Sequence, residues 1–211
     1  MRFTKSGTTI IEAMIAMFIV IVGIIGVYTI YTKSQKLSTA TENRIKAISI
    51  AREGIEAMQN IRDTNWILFG ADPQNCWNVQ DYDFHCLGNT SGAYKIKPGD
   101  YKIYKDTDNR WKLIPSSVAP LLDYSSGAYR TDYEVKLDPN GLYTQSGGTG
   151  LIPIFTRKIN ISYLNTDTNP TPDQNDEKML VESKVSWADN SKTGFYTVNL
   201  ENLLTNWKKD D

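Results

Sequence analysis

The stretch "KSGTTIIEAMIAMFIVIVGIIGVYTIYTK", Lys5 to Lys33, holds a single acid, Glu12, at the start of a long apolar run. From Ala13 to Thr32 there are 20 residues without a formal charge. As a helix rising ~1.5 Å per residue they cover ~30 Å, the hydrocarbon thickness of a bilayer. Arg2 and Lys5 precede the run, which favours a cytoplasmic N-terminus. Lys33 and Lys36 follow it and weaken the charge asymmetry. A cleaved secretory signal has an apolar core of ~7–15 residues and a small-residue cleavage site. This run is longer, and Ser34 to Ala40 makes a poor site. An uncleaved signal anchor accounts for every residue except Glu12. A carboxylate within a membrane span costs roughly 2.5–3.5 kcal/mol at the centre and less near an interface. Such an acid calls for a cation, from outside the helix or from a new chain end.

With its basic leader, Gly7, the two threonines, Glu12 and the unbroken apolar run, this stretch resembles the class III signal of type IV prepilins and their pseudopilin relatives. The resemblance implies a leader, residues 1–7, removed after Gly7 by a prepilin peptidase on the cytoplasmic side. Thr8 then becomes the N-terminus and the site of N-methylation, and Glu12 becomes the fifth mature residue. In that family the Glu of an incoming subunit is thought to meet the terminal amine of its neighbour, which makes Glu12 a docking charge for assembly. The first mature residue is usually Phe and here is Thr8. Major pilins often carry Pro in the second half of the apolar helix; Gly23 and Gly26 stand here instead, which leans toward a minor pilin or pseudopilin. The implied partners are other pilin subunits, the peptidase and an inner-membrane assembly platform. The implied location is the cytoplasmic membrane with the head outside, and afterwards an extracellular filament.

Beyond Lys33 a helical pattern continues, with Leu37, Thr41, Arg44 or Ile45, Ile48, Ala51, Ile55, Met58 and Ile61 recurring at three- and four-residue steps. A continuous helix from Thr8 to Arg62 has 55 residues and spans about 80 Å. Glu42 and Lys46 are an i,i+4 pair, and Arg52 and Glu53 read as solvated charges. Gly54 is costly inside a helix, and it permits close approach of a sheet. A coiled-coil stalk is the second reading; the stripe is too short and irregular for sustained heptads. The expected organisation is 1–7 leader, 8–32 transmembrane or filament-core helix, 33–62 amphipathic helix, and 63–211 β-rich extracytoplasmic head.

In the head, strands are expected at 93–97, 101–105, 110–114, 129–137, 152–164, 178–187 and 194–204, with "ADNSKTG" (188–194) turning between the last two. Those last three read as an antiparallel meander with one face on the helix, giving an α+β fold: a long N-terminal helix packed on an antiparallel β-sheet. The tyrosines and tryptophans concentrated here read as core edges. "KDTDNR" (105–110) reads as a hairpin turn and "QSGGTG" (145–150) as a flexible loop. Cys76 and Cys86 lie in a loop-like stretch, and a disulfide is the default in an extracytoplasmic head. The alternative, a metal site with His85, has only three soft ligands. Asn165, Asp167, Asn169 and Asp173, with Asn175, Asp176 and Glu177 beyond, partly mimic a calcium loop. Pro170 replaces the sharp-turn Gly and the first ligand is Asn, so a solvated strand connection ranks first and no cofactor is required.

With 23 basic and 24 acidic residues the chain is no polyelectrolyte partner for nucleic acid. No G-x-S-x-G elbow is present, and the single His lacks evident triad partners. The leading expectation is a non-enzymatic structural subunit, minor pilin-like, whose head serves adhesion or initiation of assembly. The alternatives are an extracytoplasmic binding module on an uncleaved anchor and an anchored hydrolase using the acidic loops.

Overall fold

The computed structural model describes residues 9–151, 155–165, 171–188 and 194–208. The chain divides into two compact units, Met1–Asn43 and Arg44–Asp211. Helix α1 (Ile10–Leu68, 59 residues) supplies the described part of the first and opens the second. It runs past the expected end at Arg62.

In the first unit the side chains from Ile10 to Tyr31 are all exposed, and the segment is long and apolar enough to cross a membrane. Its two C-terminal threonine hydroxyls are turned back on the helix. Thr29 Oγ1 donates to the Ile25 carbonyl at 2.8 Å and Thr32 Oγ1 to the Thr29 carbonyl at 3.0 Å, so neither disturbs the apolar surface.

The second unit adds α2 (Pro73–Cys76), α3 (Gly127–Tyr133) and eight strands. β1 (Gly99–Lys105), β2 (Trp111–Pro115), β6 (Phe155–Leu164), β7 (Lys178–Trp187) and β8 (Tyr196–Thr205) form an antiparallel sheet in the order β2-β1-β6-β7-β8. The expected meander of the last three strands is present, and the fold is α+β. On β7 the alternation is clean. Met179, Val181, Ser183 and Val185 are buried, while Leu180, Glu182 and Lys184 face the other way and are half-buried.

From Ala47 onward α1 lies on that buried face. Ala57, Met58, Ile61 and Trp66 pack with Ile103, Ile159, Ile161 and Val181, and Ala47, Ile50 and Ala51 pack with Phe155, Val185 and Trp187. Each large apolar side chain sealed here contributes about 1.5–3 kcal/mol. The contact stripe keeps Ala51, Met58 and Ile61 of the expected one and departs from it elsewhere. Ile45 and Leu37 are exposed and Ile48 and Ile55 only partly buried, whereas Ala47, Ile50, Gly54 and Ala57 are buried. Small side chains bring the helix backbone close to the strands, Ile50 and Ile61 fill the contact, and Ile48 and Ile55 flank it.

Gly54 is the tightest point. A Cβ there would lie 2.5 Å from Ser183 Oγ and 2.8 Å from Ile159 Cδ1. Gly54→Ala gains about 1 kcal/mol of helix propensity but incurs an overpacking cost of about 1–3 kcal/mol. Net destabilisation is therefore the expected result. Thermal unfolding followed by near-UV circular dichroism should show a lower midpoint, partly restored by adding Ser183→Ala; an unchanged midpoint would remove the steric account.

Arg157 occupies an inward position of β6, between Phe155 and Ile159, and is fully buried. Its Nη1 donates to Glu53 Oε2 at 3.0 Å and to the Ile50 carbonyl at 3.3 Å, both on α1. Its Nε donates to Gln145 Oε1 at 3.3 Å. Glu53 is thus the partner of a buried guanidinium and not the solvated charge expected. Burial pushes Arg157 below the ordinary guanidinium range. It also raises the Glu53 carboxyl, an effect that attraction to Arg157 only partly offsets.

Three further expectations are corrected. Residues 93–97 form no strand: Gly92 precedes them in a left-handed conformation, Pro98 follows, and only a single bridge joins Lys95 to Val79. Residues 129–137 hold most of α3 and only a two-residue strand, β3 (Lys136–Leu137). Tyr129 and Tyr133, one helical turn apart, are both buried and pack with Tyr124. The stretch 145–150 is ordered. β4 (Tyr143–Thr144) and β5 (Thr149–Gly150) flank β3 in a second small sheet. Between them Gln145 Nε2 donates to the carbonyls of Tyr133 and Arg157, and its Oε1 accepts from Ile103 N–H. The hairpin turn at 105–110 is present, closed by Asp106 N–H to the Arg110 carbonyl at 2.9 Å. Residues 152–154 and the turn at 189–193 lie outside the described residues.

Candidate functional site

Gly7 and Thr8, the expected cleavage junction, lie outside the described residues. Glu12 is the only acid in the first turn of α1 and is exposed. Its N–H donates to the Thr9 carbonyl at 3.0 Å and to Thr9 Oγ1 at 3.4 Å. The spacing Thr9-x-x-Glu12 is that of a capping box, so the hydroxyl satisfies one of the amides left open at a helix start. An acid here also faces the positive end of the helix dipole. Among the described residues no ion pair involves Glu12. The helix therefore presents an exposed acid in its first turn, at the edge of a largely apolar surface.

Farther along, Gly23 forms the floor of an open apolar groove lined by Val20, Ile24, Val27, Tyr28 and Tyr31. A Cβ at Gly23 or Gly26 would meet nothing within 4 Å. Packing within the chain does not require either glycine.

Cys76 and Cys86 are bonded, as expected, with their Cα atoms 5.3 Å apart. Closing so short a loop contributes about 2–3 kcal/mol in the chain-entropy treatment. Both sulfurs are buried with Phe69 and Val79. With the thiols consumed, the metal alternative with His85 fails. His85 instead stacks between Phe84 and Tyr94 at centroid distances of 4.1 and 5.5 Å, and its Nδ1 lies 2.6 Å from Asp83 Oδ1.

Asp72, which the sequence reading passed over, clamps this loop. Its carboxylate accepts from Asn75 N–H and side-chain amide, just before one cysteine, and from Gly88 N–H at 2.7 Å, just after the other. Burial opposes ionisation of Asp72, but these hydrogen bonds outweigh it and hold the carboxyl below its ordinary range. The signal was available: Asp followed by Pro at the first position of a helix is an N-cap pattern. The loop is joined to α1 through Asn65, whose buried amide donates to the Trp77 and Val79 carbonyls.

Of the four candidate calcium ligands, Asp167 and Asn169 lie outside the described residues. Asn165 follows β6 and is exposed. Asp173 closes a turn: its Oδ1 accepts from Asn175 N–H at 2.8 Å, and its own N–H donates to Asp176 Oδ2 at 2.9 Å. Among the described residues no group of three His, Cys, Asp or Glu is arranged to hold a metal ion.

No protein-family model, no curated protein and no solved structure matches the chain.

Proposed function

We propose that the chain is a minor pilin-like structural subunit of a type IV pilus or a related pseudopilus. The observation that carries this reading is the lone acid, Glu12, in the first turn of an apolar helical segment whose side chains are exposed throughout. In this reading the prepilin peptidase cleaves after Gly7. Thr8 then supplies a free or methylated amine, and Ala13–Thr32 holds the subunit in the cytoplasmic membrane with the head outside. The assembly platform extracts it when Glu12 meets the terminal amine of a neighbouring subunit. Pairing removes the cost of a carboxylate in an apolar environment, roughly 2.5–3.5 kcal/mol at mid-membrane. The notch at Gly23, unused within the chain, allows a neighbouring helix to approach closely. The disulfide suits an extracytoplasmic head.

Mass spectrometry of the N-terminal peptide tests this, using protein made in a cell with an active prepilin peptidase. The expected chain begins at Thr8, with or without a methyl group. A chain that begins at Met1 in such membranes overturns the reading and favours a binding module on an uncleaved anchor.

A further inference from the structure

The two edges of the five-stranded sheet differ in kind. Edge strand β2 is five residues long, carries Lys112 and ends in Pro115. The 3-10 turn Gln80–Tyr82 is tied to it by Tyr82 Oη donating to the Trp111 carbonyl at 2.7 Å. Short length, a lysine, a proline and a covering turn are the means by which proteins block strand addition. Edge strand β8 has none of them: ten residues, no Pro, no Lys or Arg, and one acid, Glu201.

The direction of its main-chain groups follows from one bond. Asn206 N–H donates to the Glu177 carbonyl at 3.0 Å, and the β7–β8 register continues unbroken from there to Trp187 opposite Tyr196. Because the hydrogen-bonding direction alternates, Tyr196, Val198, Leu200, Asn202 and Leu204 turn toward β7. Thr197, Asn199, Glu201, Leu203 and Thr205 therefore point N–H and C=O away from the sheet. Among the described residues no backbone hydrogen bond reaches that side. On the helix-facing surface Val198 and Leu200 are only partly buried against the Ala47–Ile50–Phe155 cluster.

We propose that β8 is a self-pairing edge that joins two copies of this chain through an antiparallel β8–β8 contact. Charge decides the occupant and the register. A two-fold axis at Glu201 would set like charges side by side, which is unfavourable. An axis at Leu200 sets Leu200 beside the second copy's Leu200, Asn199 opposite its Glu201, and Thr197 opposite its Leu203. The amide–carboxylate match is already present within the strand, where Asn199 Nδ2 donates to Glu201 Oε1 at 3.3 Å. The nine residues from Tyr196 to Leu204 then pair, and the half-open Val198 and Leu200 are covered.

The test uses cross-linking of the full chain in detergent micelles and in membranes. Both native cysteines are bonded, so Leu200→Cys introduces the only free thiol. Leu200 and its counterpart would form a non-hydrogen-bonded pair with Cα atoms about 4.5 Å apart, within disulfide reach. Mild oxidation should give a covalent dimer. Adding Glu201→Pro removes an outward N–H while leaving the β7 ladder intact, and should cut the dimer at least about tenfold. Should Leu200→Cys perturb the core, a mixture of Thr197→Cys and Leu203→Cys chains must cross-link as a mixed pair more than either does alone. The proposal is overturned if both schemes leave the chain uncross-linked. It is equally overturned if the dimer survives Glu201→Pro, or if the thiol captures only a different protein. Because these readouts do not depend on cleavage at Gly7, they stand apart from the pilin reading.

Discussion

Glu12→Gln should leave the protein in the membrane and keep it out of the filament. Glutamine retains the size of Glu12, and the observed cap bond uses the main-chain N–H of residue 12, so the first turn of α1 persists. Only the charge is lost. Insertion should not suffer, because removing a carboxylate from the edge of an apolar span makes insertion easier. Incorporation should fall by about two orders of magnitude or more, since breaking a desolvated ion pair by removing one partner costs roughly 3–5 kcal/mol. Quantifying the head in sheared filaments and in membranes, for Glu12→Gln, Glu12→Ala and Glu12→Asp, separates the two roles. Normal incorporation of the Gln variant with failure of the Ala variant would make Glu12 a helix cap and nothing more. Normal incorporation of both would sink the docking role.

The second large effect lies in the head. Glu53→Ala strips a fully buried guanidinium of its carboxylate, and the expected destabilisation is about 3 kcal/mol. Arg157 cannot escape by losing its proton, and its remaining bonds, to the Ile50 carbonyl and Gln145, are neutral. Replacing both members with apolar residues, Glu53→Leu with Arg157→Met, should recover most of the loss, because a buried ion pair contributes little beyond what a well-packed apolar pair supplies. Equilibrium denaturation of the parent, Glu53→Ala, Glu53→Leu, Arg157→Met and the Glu53→Leu/Arg157→Met double variant measures this. A single variant that unfolds like the parent would show that the pair carries no weight, and a double variant worse than either single would show that the charges hold the helix in place.

What could be read ahead of the structure was local. The apolar length of α1, the 2-residue alternation of β6 and β7, and the cysteine pair all announce themselves within ten or twenty residues. What could not be read depends on distance. Glu53 and Arg157 are 104 positions apart, and neither residue names its partner. The phase of the helix stripe failed for a related reason. Ala51, Met58 and Ile61 face the sheet as expected, but beside them the sheet takes Ala47 and Gly54 in place of Ile48 and Ile55, because closeness outweighs side-chain area there. Tyr129 and Tyr133 are four apart, a helical spacing, yet the following Val135 and Leu137 extended an apparent alternation across them. Of the candidate site, Glu12 and its apolar context were fully visible, whereas Thr9 as the cap of its helix was passed over. Gln145 was hidden in a glycine-rich stretch whose composition signals only a turn, although its side chain satisfies two carbonyls and one amide.

The strand order has a consequence for how the head is built in time. β1 and β2 are joined by a tight turn, and β6, β7 and β8 follow one another along the chain, so each group closes through connections of about thirteen residues or fewer. Between them runs a single junction, β1 against β6, with three registered pairs, Gly99–Tyr101 opposite Ile159–Ile161, against ten at β6–β7. Closing it draws together segments separated by about fifty residues of intervening chain, which include α3 and the small sheet; the entropic cost of such closure delays it relative to the local hairpins. Folding of the head is therefore the late joining of two pieces that are each quick to form, and this short junction is the natural line along which the sheet first comes apart.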